Sequence, residues 1–74
     1  MSRPAMLQIN TAGAWRHVCE VDLNDVDAVG HVLEAGATLG HYGLQGPKVR
    51  LVQIETGYAH VLMRWHPRTS WKEA

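Results

Sequence analysis

Five histidines and one cysteine are the residues of this 74-residue chain with the widest chemical repertoire. His17 and Cys19 share one face of an alternating segment. With His60 or His66 they would supply the nitrogen and sulfur donors that zinc takes tetrahedrally. There is no C-x2-C pair, however, and alternation sets His60 and His66 opposite the face that holds Cys19, so no metal site is expected. A nucleophilic Cys19 would need a histidine base. A mid-strand thiol flanked by Val18 and Val21 is instead expected to be buried and unreactive. Asp22, Asp25 and Asp27 resemble a carboxylate pair for hydrolysis, but they stand where a helix start attracts negative charge. The glycine-rich run Gly40 to Lys48 fails as a phosphate loop: such a loop follows a strand, opens a helix and ends in Lys-Ser or Lys-Thr, whereas this one follows a helix and ends Lys48-Val49. No catalytic residue, cofactor or small-molecule substrate is therefore expected.

The elements that would position these residues follow from hydrophobic period. Leu7 and Ile9 alternate in a short strand over 5–10, and Thr11 to Ala14 form a turn. Trp15, His17, Cys19, Val21 and Leu23 then alternate with Arg16, Val18, Glu20 and Asp22, which predicts a strand over 14–22. From Asn24, a predicted cap, the period changes. Val26, Val29, Leu33 and Ala37 make one helical stripe, giving a helix over about 24–38 that Gly40 ends. Gly36 within it marks either a close approach to the sheet or an early stop. Val49 to Ile54 and His60 to Trp65 flank a turn at 55–58 and predict a second hairpin. Pro67 ends it, leaving 68–74 as a polar tail that carries Trp71.

The expected fold is α+β: a two-layer ββαββ domain with one helix on a four-stranded antiparallel or mixed sheet. The strand order is open between a grasp-like arrangement, with first and last strands central and parallel, and a plain hairpin-to-hairpin sheet. One domain spans 1–74, with its core at about 5–66. At 46% apolar and 19% charged residues the chain is too hydrophobic for a disordered one. A lone cysteine and an opening segment without a sustained apolar run point to a reducing, cytoplasmic setting. No run approaches the roughly 20 apolar residues of a membrane span.

Chains this short seldom bury a core worth more than about 3–5 kcal/mol, which favours support from a partner. A single helix covers one sheet face. If Trp15, Cys19, Val21, Val61, Met63 and Trp65 point at it, the other face presents Val18, Leu62 and one apolar pair of the third strand, Val49/Leu51 or Val52/Ile54. Arg16, Glu20, Arg50, Arg64, His60 and His66 would rim that patch, as in a protein–protein interface. Net charge is zero, yet residues 1–37 carry −3 and residues 38–74 carry +3, a division suited to self-association or an acidic partner. The expected function is therefore a non-enzymatic interaction module, a homodimer or a protein that docks on another, with Arg16, Val18, Arg50, Val52, His60, Leu62 and Arg64 as contacts. Its size and catalytic silence resemble those of phage and mobile-element accessory proteins. The alternative is a nucleic-acid-binding domain using the basic second hairpin and tail. A sequence pI of about 7.0, and tryptophans expected on the core face, weigh against that alternative.

Overall fold

The computed structural model describes residues 3–44, 46–55 and 58–74. The element order is β1 (Pro4–Thr11), β2 (Ala14–Asp22), α1 (Val26–Tyr42), β3 (Val49–Glu55), β4 (Tyr58–His66) and β5 (Ser70–Glu73). The class is α+β, as the sequence predicts, but the sheet has five strands in the order β2-β1-β3-β4-β5, and every pairing is antiparallel. The grasp-like arrangement is thereby excluded. The two hairpins meet through β1 and β3.

Local chemistry explains most boundaries. Ala12 and Gly13 turn the first hairpin with positive φ angles of 53° and 82°, the mirror-image turn whose twist suits two strands. The carboxylate of Asp22 accepts hydrogen bonds from the backbone N–H groups of Arg3 and Asn24, both at 3.0 Å. Those bonds favour its charged form and hold its pKa below the usual carboxylate range. The helix is capped by Asp25, not Asn24: its side chain accepts from the Ala28 N–H at 3.1 Å. Asp27 lies in the first turn, at the positive end of the dipole. The helix runs through Gly40 to Tyr42, and Gly43 caps it by donating to the Leu39 carbonyl at 2.7 Å. The turn expected at 55–58 includes Thr56 and Gly57, which lie outside the described residues.

The largest departure from the sequence reading is the tail. After Pro67 the chain reverses, with Ser70 at a φ of 60°, and β5 pairs with β4 so that Trp71 faces Trp65. Both rings lie under α1. The Trp71 indole N–H donates to the Leu33 carbonyl at 2.6 Å, and the ring of His41 meets Trp65 edge-on at 4.9 Å. Around them two continuous clusters form the core. Ala5, Val21 and Leu51 pack with Val29, Val32 and Leu33, while Leu7, Val49 and Trp65 pack with Val32, Ala37 and Trp71. Val26, expected in the buried stripe, is 78% exposed. The apolar stripe is rotated toward Val29, Val32 and Leu33 because the flat rings of Trp65 and Trp71 meet the helix at its glycines. Gly36 and Gly40, one turn apart, are buried against those rings. A Cβ at Gly36 would lie 2.7 Å from Trp71, and one at Gly40 would overlap the ring of Trp65. Gly36 thus marks the close approach and not the end of the helix. No helix among the described residues is long and apolar enough to cross a membrane.

The glycines of α1 accordingly divide into two kinds. Gly40→Ala is expected to lower stability by about 1–3 kcal/mol through overpacking against Trp65. At Gly30 a Cβ meets nothing within 4 Å, so Gly30→Ala is expected to raise stability by roughly 0.5–1 kcal/mol. Urea denaturation of the two variants beside the parent checks both signs.

Candidate functional site

Two register shifts decide which side chains reach the sheet face opposite α1. In β2, Cys19 stands opposite Leu7 while His17 stands opposite Gln8, so Val18 is an extra residue in the ladder. A bulge of this kind inverts the alternation on one side of it. Cys19 and Val21 therefore align with the helix-side residues Leu7 and Ala5, whereas His17 and Trp15 align with Gln8 and Asn10 on the open side. In β4, Met63 stands opposite Leu51 and Val61 opposite Val52, so Leu62 is the extra residue. Met63 and Trp65 face the helix, and Val61 joins the open side.

These shifts correct several expectations. Trp15 and Val61 leave the helix face. Leu62, expected as an open-face contact, packs against the helix-side cluster of Ala5, Val21 and Leu51. Arg16 is opposite Ile9, which packs on the core, and its Nε donates to the Thr11 hydroxyl at 3.0 Å. His60 is exposed opposite Gln53, in register with Ala5, and so also leaves the open face. Val49 and Leu51 are the helix-side pair of β3. Val52 is an open-side residue, but it is fully buried in register between Met6 and Val61. The strand's second apolar side is covered by its own neighbours. Val18, the bulge residue, and Ile54 remain partly exposed. Cys19, expected to be buried, is exposed.

What the open face gathers instead is a row that crosses all five strands. His17, Gln8, Arg50, Arg64 and Lys72 are successive register partners from β2 to β5. At a strand spacing of about 4.8 Å the row spans roughly 19 Å. Gln8 is its hinge. Although only 5% exposed, its amide Oε1 accepts from Arg50 Nε at 2.8 Å, and its Nε2 lies 3.2 Å from His17 Nδ1. Arg50 is held a second time, because its guanidinium carbon lies 3.9 Å from the centroid of the Trp15 ring. Partial burial, with Arg64 adding to it, pulls the Arg50 pKa down; a guanidinium keeps its charge at neutral pH all the same.

Like charges directly opposite one another destabilise a sheet. Here two such pairs are adjacent, Arg50 with Arg64 and Arg64 with Lys72. Among the described residues none of the three is joined to a carboxylate. Glu73 is opposite Met63, a helix-side residue, and Glu20 is opposite Met6, toward the other end of the open face. Beside the row a cleft of about 410 Å³ is lined by Trp15, Lys48, Arg50, Arg64 and His66. A second cleft of about 350 Å³, between the β1–β2 turn and the loop after α1, shares Lys48 with it.

Among the described residues no three His, Cys, Asp or Glu side chains converge as a metal site would require. Compared with protein-family models, with curated proteins and with solved structures, the chain matches none, so the functional reading rests on this face alone. The alternation of residues 15–21 hid it, because one bulge residue moves Trp15 and His17 from one side of the sheet to the other. The cations of β3, β4 and the tail were legible in the sequence as a basic cluster; that Lys72 stands opposite Arg64 was not, since no pattern in the tail announces β5.

Two substitutions test this assignment of faces. Leu62→Asp is expected to cost roughly 2 kcal/mol or more, because it sets a carboxylate against the core. Arg64→Gln is expected to stabilise the protein by about 0.2–1 kcal/mol at low salt by relieving two like-charge pairs. That gain should shrink as salt screens the repulsion. Thermal unfolding at two ionic strengths reads both effects.

Proposed function

We propose that this protein is a binding module without catalytic chemistry, and that its open sheet face docks an anionic macromolecule and acts by occupying it. The observation that carries the reading is the set of cations on three adjacent strands, Arg50, Arg64 and Lys72, in register and without a carboxylate partner among the described residues. An anion laid along the row turns a repulsive arrangement into an attractive one. Arg50 is already ordered by Gln8 and Trp15, so little side-chain freedom is lost on binding.

A second copy of the chain suits this face less well. A two-fold contact through the row would set like charges against each other, and Val52 and Leu62, the expected apolar centre, are taken up by the core. The expected contacts that stay in the reading are Arg50 and Arg64, with Val18 at the bulge. Trp15, His17, Gln8, Lys72 and His66 join them.

The chain has no formal net charge at pH 7, so retention on an anionic matrix at that pH requires a local patch. The parent protein is expected to bind a heparin matrix at pH 7 in about 50 mM salt, where screening is still weak, and to elute as salt rises. Arg64→Gln/Lys72→Gln should pass through under the same conditions. Arg3→Gln/Arg16→Gln removes the same charge away from the row and should still be retained. Parent protein in the void volume, or equal loss in both double variants, overturns the reading.

A further inference from the structure

We infer that the anionic partner is single-stranded nucleic acid, with phosphates along Arg50, Arg64 and Lys72 and an unstacked base against Trp15 and Arg50. The inference rests on the open-face docking reading and adds the chemistry of the ligand. The cations alone would serve any polyanion; the aromatic ring beside them narrows the choice. Trp15 is half-buried in β2, so its position is fixed while part of the ring stays open to the cleft it shares with Arg50 and His66.

A sheet surface that combines a cationic track with aromatic and guanidinium planes is a recurrent way to hold unpaired bases. The guanidinium of Arg50 contributes twice. Its stacking on Trp15 makes a layered platform, and its Nε bond to Gln8 directs the remaining N–H groups away from that side chain. Those groups have no partner among the described residues. The cleft has the volume of a small-molecule site, with Lys48 and His66 on its rim to meet a neighbouring phosphate.

A duplex has its bases stacked inward and would leave Trp15 unused. An acidic peptide would satisfy the cations through its carboxylates, which need no aromatic ring beside them. Base stacking and phosphate contacts are indifferent to base identity, so binding is expected to tolerate sequence.

The test is fluorescence anisotropy with a labelled 12-nucleotide oligothymidylate, a duplex of the same length and an abasic oligomer carrying the same phosphates. The oligothymidylate is expected to bind at least ten-fold more tightly than either control. Three phosphates neutralised at about 0.7 counterions each give a slope of log K against log salt near −2. Lys72→Gln should reduce that slope by about 0.7. Trp15→Leu should weaken oligothymidylate about ten-fold with the slope unchanged, and Trp15→Phe should recover part of the loss. Circular dichroism establishes that each variant is folded. Equal binding of the abasic oligomer, or of the duplex, overturns the inference, because stacking would then contribute nothing. Absence of oligothymidylate binding by a protein that is still held on heparin overturns it too, pointing to an acidic protein partner and leaving the docking reading intact. Absence of both overturns both.

Discussion

The contact between two glycines of α1 and two tryptophans of the sheet is the constraint on which the rest depends. Gly36 and Gly40 lie one helical turn apart and are buried. Trp65 and Trp71, directly opposite each other on β4 and β5, fill the space that side chains at those glycines would need. Close approach of helix to sheet lets a small chain bury two large aromatic rings, each able to remove 150–250 Å² from water (a general range). It also ties the last strand into the fold: β5 is four residues long, and the Trp71 indole bond to the Leu33 carbonyl anchors it under the helix. Because the one helix is committed to this face, the other face of the sheet has no covering layer among the described residues.

What arrives on that second face is governed by the bulges at Val18 and Leu62. Each inserts one residue, and each exchanges the two sides of its strand beyond that point. The exchange in β2 exports Trp15 and His17 from the helix side; the exchange in β4 draws Leu62 into the core and releases Val61. The two changes act in concert. An apolar interface centred on Leu62 is lost, and a polar, cationic row beside a tryptophan takes its place.

The row carries a like-charge repulsion that no carboxylate among the described residues offsets. Arg50, Arg64 and Lys72 repel across neighbouring strands, while the nearest open-face carboxylate by register, Glu20, lies toward the other end of β2. In a domain whose core is small, such a cost is easier to understand as a binding surface than as an ordinary solvated one. Gln8 adds weight to this view. A buried amide in the middle of a sheet is tolerated only when it is hydrogen-bonded, and here both ends of the amide are directed to the row, toward His17 and Arg50.

The sequence by itself determined the class of the protein, the order of its first five elements and, apart from the C-terminal end of α1, their bounds to within a residue or two. Those features rest on local rules: alternation in strands, the turn chemistry of Ala12-Gly13, acidic residues at a helix start, and a proline after β4. It showed Arg50 and Arg64 as cations of the second hairpin but not as partners: the unbroken hairpin register would set Arg50 against Met63, and only the bulge at Leu62 brings the two arginines opposite each other. Tertiary structure alone decided the fifth strand, the rotation of the helix that exposes Val26, and the side of the sheet on which Trp15 and Leu62 lie. The physical reason is common to all three. Each depends on where another element is placed: Trp71 on Leu33, the helix glycines on two tryptophans, β2 on the register of β1 and β4 on that of β3. In a strand, a slip of one residue is invisible to period-two patterning until the opposing strand is in place.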